Sequence, residues 1–191
     1  AAEDSQIQPD SAWTAISEQI EHVPILRGRF SQDKHIAGFS RPLRSSGHFL
    51  LVRERGILWV TEQPFASRLS INARGLRLQD DSQTRVLDSA SEPGLATVQR
   101  LLLNLLGGDL AALAADFDGQ LLPAQEHDWH LRLRPRSSAQ ALLIEQIVLA
   151  GGTQVEYVEL LEAHGDRSEL RFSDFAHGPE PDAAEAIDLE R

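Results

Sequence analysis

Seven histidines, 29 Asp and Glu residues and 18 Lys and Arg residues supply the titratable chemistry of this chain. Their spacing leaves most reactions without a site. His127-Asp128-Trp129-His130 is the one cluster tight enough in sequence for a metal or an acid–base pair. On a strand, however, His127 and His130 project to opposite faces. Ser45-Ser46-Gly47 keeps only the trailing glycine of a nucleophile elbow and reads as a turn. Gly107-Gly108-Asp109 and Gly151-Gly152 lack the strand-to-helix context of a phosphate-cradling loop, and a helix stop and a hairpin turn account for them. The carboxylates are scattered, with Asp80-Asp81 and Glu54 on expected loop tips, and the sequence assigns no pair a glycosidase-like separation. No cysteine is present, which removes thiol nucleophiles, thiolate metal sites and disulfides. These residues point away from catalysis, and we expect a chain that is not an enzyme and needs no cofactor or metal.

Arg53 is the sharpest single candidate. In phase with Phe49 and Leu51, it projects to the same side as two apolar residues, where a charge needs carbonyls or a polar headgroup to meet.

The elements that would position it are short and extended. Strands are expected around Phe30, over His48 to Arg53, Ile57 to Thr61, Phe65 to Asn72 and Leu76 to Gln79. They are separated by Pro42 with Ser45-Ser46-Gly47, by Gly56, by Gln63-Pro64 and by Arg74-Gly75. Trp13, Ile16, Ile20 and Val23 recur at helical spacing between an Asp10 or Ser11 cap and Pro24. A second helix starts at Ser91-Glu92-Pro93, carries Leu95, Val98, Leu102 and Leu105 on one face, and stops at Gly107-Gly108. A third, capped by Asp109, runs through Leu110 and Leu113, and Asp118-Gly119 reads as a hairpin turn. Hairpins over Leu142 to Ala150, Thr153 to Leu161 and Ser168 to Ser173 close the pattern, with Ile144, Gln146 and Val148 expected on one face. Helices grouped between runs of strands, rather than alternating with them, imply an α+β fold: an antiparallel sheet with helices on one face.

The length suits one domain over residues 1–191, with 1–9 and 176–191 as loosely held ends, the latter anchored through Ile187 and Leu189 only. A net charge of −11 disfavours nucleic acid or an anionic membrane as a partner, by simple repulsion. No apolar run reaches the roughly 18 residues needed to cross a bilayer, so a membrane-spanning chain is not expected. With no methionine and an Ala1-Ala2-Glu3-Asp4-Ser5 start, the chain suits a mature end left by signal-peptide cleavage, and thus an exported, periplasmic protein.

The order of these features resembles one family. Phe30-Ser31-Gln32-Asp33-Lys34, then Gly47 to Arg53, then a strand with Trp59, a Gln63-Pro64 step, and Trp129-His130-Leu131-Arg132-Leu133-Arg134-Pro135 are similar to the LolA-type periplasmic carriers of outer-membrane lipoproteins. The similarity spans about residues 11 to 175. Arg53-Glu54 stands where the family usually has Arg-Pro, a mark of a divergent branch. The resemblance implies an incomplete antiparallel β-barrel, a half-barrel whose apolar concave face lies under a helical lid. It implies a carrier that shields the acyl chains of a lipoprotein, taking it from an inner-membrane export complex to an outer-membrane receptor. Arg53 would hold the lid closed. Trp13, Ile16, Ile20, Phe30, Phe49, Leu51, Trp59, Phe65, Leu102 and Leu105 would line lid and cavity. Apolar residues on both faces of Phe49 to Val52 and Ile57 to Val60 suggest that one surface awaits cargo. Two other readings share the fold: a carrier for another acylated lipid, such as a glycolipid or polyene ester, and an envelope sensor or scaffold domain that binds a partner protein.

Overall fold

Alternation along the first long strand separates the two faces of the molecule. In β1 (Ile25–His35), Leu26 and Phe30 join one apolar core while Ile25 joins another on the opposite side of the sheet. The computed structural model describes residues 9–80, 82–87, 93–123 and 126–190. β2 (Leu43–Val52), β3 (Gly56–Gln63), β4 (Ser67–Asn72), β5 (Gly75–Asp80) and β6 (Thr84–Leu87) extend β1 into an antiparallel meander. Helix α1 (Pro9–Ser17) precedes it, and α2 (Pro93–Gly107) and a 3-10 turn (Ala111–Ala115) follow it. The chain then forms β7 (Phe117–Leu122), β8 (Trp129–Pro135), the single turn α3 (Ser138–Ala141), β9 (Ile144–Gly151), β10 (Val155–Glu162), β11 (Arg167–His177) and α4 (Ala183–Glu190).

β11 returns to pair with β1, placing all eleven strands in one sheet of order β6-β5-β4-β3-β2-β1-β11-β10-β9-β8-β7. Its outer strands β6 and β7 do not pair with each other, so the sheet is an open half-barrel, α+β in class. Residues of α1, α2 and the 3-10 turn fill the concave side. The convex side of β1 to β3 packs against α4.

Several expected breaks lie inside strands. Ser45, Ser46 and Gly47 belong to β2, where a bulge sets Ser46 opposite Gln63 and Gly47 opposite Thr61. A Cβ at Gly47 would sit 1.9 Å from the Val60 carbonyl oxygen, so glycine is there for a close backbone approach and not for a turn. Asp118-Gly119 likewise lies within β7, and a Cβ at Gly119 would meet the Trp13 ring at 2.7 Å. Helix α1 ends at Ser17, short of Pro24, because the backbone of Glu21 donates to Thr153 of the β9–β10 turn (2.9 Å) and leaves the helical path. Leu142 and Leu143 are not strand residues: they exit α3, whose Ser137 cap accepts from the Gln140 N–H at 3.2 Å. β9 starts at Ile144, and a bulge that sets Glu162 opposite Ile144 brings Ile144 and Ile147 both into the core, so Gln146 and Val148 do not share the face of Ile144.

The segment after Phe175 is docked and not loosely held. β11 continues to His177, and α4 follows. Asp182 caps α4 by accepting from the N–H groups of Ala184 and Glu185 (both 2.8 Å), and Glu185 accepts in return from the Asp182 N–H at 2.9 Å, a capping box. Leu189 is 2% exposed, packed with Ile25, Leu50, Val52 and Leu58, while Ile187 stays 48% exposed. Ala1 to Gln8 lie outside the described residues.

Candidate functional site

The inward residues of the sheet build an aromatic floor on the concave side. Phe30 stacks on Trp59 at a centroid distance of 3.9 Å, and Phe172 meets Trp59 (5.9 Å) and Phe49 (5.7 Å) edge-on. Leu51, Ile57 and Ile71 continue this floor on one half, and Leu131, Leu133, Ile147 and Leu149 on the other. Trp13 and Ile16 of α1, Ile20 after it, Leu101 and Leu105 of α2, and Leu110 and Leu113 at the 3-10 turn cover it. Leu102 is half-buried and packs against the same core. The side chains of Leu95 and Val98 lie outside the described residues. This cover is apolar and largely non-directional. The Trp13 indole N–H is buried with no hydrogen-bond partner among the described residues, a defect that costs roughly 1–3 kcal/mol.

Arg53 ties the cover down. Its guanidinium donates to the carbonyl of Gly107 at the end of α2 (2.8 Å), contacts His22 Nδ1 (3.0 Å) and reaches the Val23 carbonyl at 3.5 Å. Its backbone N–H donates to Pro24 at 2.9 Å. One side chain thus joins the last turn of α2, the segment linking α1 to β1, and the β2–β3 turn. A cation on the last carbonyls of a helix also complements the helix dipole. Beside it opens a pocket of about 260 Å³, lined by Leu51, Arg53, Asn72, Leu103, Asn104 and Gly107 among others.

A second tie crosses the end of β4. Gln99, buried in the apolar helix α2, donates its amide to the Asn72 carbonyl, and the Asn72 amide donates to the carbonyl of Leu189 in α4 at 3.0 Å. Concave and convex covers therefore meet at one buried residue. On the convex side, Glu185 makes a two-point ion pair with Arg27 (2.8 and 2.9 Å), and Arg68 pairs with Asp188. Arg55 reaches Glu190 at 3.1 Å, and Arg74 donates to the Glu190 carbonyl at 2.9 Å. The Arg27 hydrogen bonds hold the Glu185 carboxyl down at about 2.

Of the residues expected to form lid and cavity, ten converge on the concave side or its rim: Arg53, Trp13, Ile16, Ile20, Phe30, Phe49, Leu51, Trp59, Leu102 and Leu105. Phe65 does not. It is 82% exposed in the β3–β4 connection, and β4 begins only at Ser67. The apolar outer faces of β2 and β3 also have another cause than cargo, since Leu50, Val52 and Leu58 pack under Leu189 of α4. Gln99, Asn72 and the Arg27–Glu185 pair carry no sequence motif. A lone glutamine in an apolar helical stripe is the only signal that a specific buried partner awaits.

His127 and His130 lie together, with ring centroids 5.6 Å apart, because His127 precedes β8 and strand alternation does not govern it. His127 Nδ1 is 2.9 Å from a Glu156 carboxylate oxygen, and burial followed by the neighbouring His127 lowers the pKa of His130. Glu162, His164 and Asp166 bring ligand atoms within 4.8 Å of one another at the β10–β11 turn. The Lys34 ammonium already lies 3.1 Å from Glu162 and 3.9 Å from Asp166, neutralising the cluster as a cation would. Among the described residues, no helix is long and apolar enough to cross a membrane.

Comparison with known proteins agrees with this geometry. The chain is similar to a solved LolA superfamily protein from Nitrosomonas europaea, with 12% identity, a TM-score of 0.50, and coverage of 94% of this chain and 97% of that one. It is similar to a DUF1329 family protein from Desulfovibrio piger, with 10% identity, a TM-score of 0.51, and coverage of 93% and 97%. At these identities the likeness concerns the fold. No curated protein matches the chain by sequence. A family model described as outer membrane lipoprotein carrier protein LolA matches residues 21–185, which include all eleven strands of the half-barrel, and supports a lipid-binding carrier role in general terms. The chain belongs to the LolA family of outer membrane lipoprotein carrier proteins.

Proposed function

We propose that this chain is a non-enzymatic periplasmic carrier that takes the acyl chains of a lipoprotein onto its concave face and moves them from the inner to the outer membrane. The observation that carries this reading is the nature of the cover. Trp13, Ile16, Ile20 and Leu105 are buried by apolar contact alone, so their contacts with the sheet can be exchanged for contacts with acyl chains at little net cost. One chain of about 16 carbons, at about 0.8 kcal/mol per methylene, gains on the order of 13 kcal/mol gross, which lid displacement must offset for cargo to be released. The unpartnered Trp13 N–H lowers the cost of opening, and an acyl ester carbonyl would satisfy it. An inner-membrane export complex would load the carrier and an outer-membrane receptor would unload it.

The test is lipid analysis of the protein purified from an envelope fraction, together with binding of a fluorescent acyl probe. A bound acylated species identifies the cargo, and a glycolipid or other acylated lipid in its place would redirect the cargo and keep the mechanism. A protein that is empty and also fails to bind the probe would overturn the carrier reading. Arg53→Leu should raise hydrogen exchange in α2 and change probe release several-fold, with a stability loss of about 1 kcal/mol. If neither exchange nor release moves, Arg53 does not hold the lid.

A further inference from the structure

We infer that the rim of the half-barrel opposite Arg53 is a docking surface for an anionic phospholipid membrane. Large exposed apolar side chains gather at this end. Phe39 (73% exposed) and Leu43 lie at the β1–β2 connection, Phe65 at the β3–β4 connection, and Leu142 (77%) at the exit of α3. The antiparallel order of strands places these connections on one rim, while Arg53 and the β9–β10 turn occupy the other, the length of a strand away. The β1–β2 connection, the β10–β11 turn and the exit of α3 are also stitched together. Ala37 donates its N–H to Asp166 of the β10–β11 turn at 2.9 Å, and Ala163 of that turn donates to the carbonyl of Leu143 at 3.1 Å. A turn closed by the Phe39 N–H on the Ile36 carbonyl (3.0 Å), with Ala37-Gly38 at its tip, leaves the Phe39 ring exposed at its exit.

The charge pattern selects the occupant. Phe39-Ser40-Arg41-Pro42-Leu43-Arg44 alternates apolar residues with arginines and holds no carboxylate, in a chain whose net charge is −11. Most acids nearby are engaged: Asp33 with Arg44 (3.5 Å), Glu162 and Asp166 with Lys34 and His164, and Asp80 with the N–H groups of Ser82 and Gln83, while Glu145 at the start of β9 is exposed. Aromatic and aliphatic tips flanked by arginines match the interface of an anionic bilayer, where rings enter the headgroup layer and guanidiniums meet phosphates. Single exposed apolar residues need no explanation, but several on one stitched, cation-bearing rim do. Docked in this way, the molecule would turn Arg53 and its pocket away from the bilayer, free to face a protein partner.

The test is co-sedimentation of the full chain with vesicles of phosphatidylethanolamine and phosphatidylglycerol, against vesicles of phosphatidylcholine alone. Preferential binding to the anionic vesicles, weakened at least tenfold by Phe39→Ser with Leu43→Ser and by Arg41→Glu with Arg44→Glu, is the expected result. High salt should release the wild type. Circular dichroism checks that the variants fold, and probe binding on the concave face should be unchanged in them, so that loss of docking and loss of carrying are read separately. Binding that ignores lipid charge, or that survives both double variants, would overturn the inference. So would failure to sediment with either vesicle, even if a protein partner proved to contact the rim.

Discussion

One sheet carries two covers, and they are held by opposite chemistries. On the concave side, α1, α2 and the 3-10 turn bury large apolar residues over most of their area, with directional contacts gathered at Arg53, Glu21 and Gln99. On the convex side, α4 buries Leu189 and is fixed by Arg27–Glu185, Arg68–Asp188 and two hydrogen bonds to its terminal carbonyls. Apolar contacts are interchangeable with any apolar partner, whereas ion pairs and hydrogen bonds specify one position. The first cover suits a surface that must admit a guest, and the second suits one that must stay in place. Asn72 is bonded to both covers.

The largest effect expected is on the concave side. Trp13→Ala should cost about 3–5 kcal/mol in urea denaturation of the empty protein, as truncation of a buried aromatic does. A saturating acyl probe should recover part of that loss, and if it recovers none, the two covers do not differ in the way proposed. Leu189→Ala should cost about 2–4 kcal/mol by the same cavity argument, but with probe affinity unchanged. A large loss of probe affinity on removing Leu189 would show that the covers act as one.

The smallest effect is a pH dependence confined to α4. With its pKa lowered to about 2, Glu185 contributes stability that is complete above the ordinary carboxylate range and is lost as pH falls through the folded value. Discounted for solvent screening, the contribution is about 1 kcal/mol. Wild type should therefore lose this increment between about pH 4.5 and 2, and Glu185→Gln should lack it throughout. Equal acid sensitivity in the two proteins would remove the Arg27–Glu185 pair from the account of the convex side.

Features governed by neighbours along the chain were legible in the sequence. The phase of Arg53 with Phe49 and Leu51 and the stop of α2 at Gly107-Gly108 follow from local alternation and turn chemistry, while the Trp129–Pro135 strand was legible through the family resemblance. Features governed by remote neighbours were not. Gly47 and Gly119 look like turn glycines until Val60 and Trp13 are seen pressing against them. Leu50, Val52 and Leu58 give strands that are apolar on both faces, and nothing near them says that the second face belongs to Leu189, far along in an acidic segment. Phe65 was assigned to the floor as the first residue of an expected strand, yet that strand starts two residues later.

The pairing of β1 with β11 also dictates an order of events in folding. Leu26 pairs with His177 and Lys34 with Ser168, so the seam at the middle of the sheet joins segments from opposite ends of the chain. The β1–β6 meander can form from local hairpins, but the free edge of β1 stays exposed until the last strand has been made. Closing that long loop is slow, and an open edge is a template for pairing with other chains in the meantime. A newly made copy is therefore most prone to aggregate just before its final strand arrives, and a truncation that removes β11 should leave two half-sheets with no seam to join them.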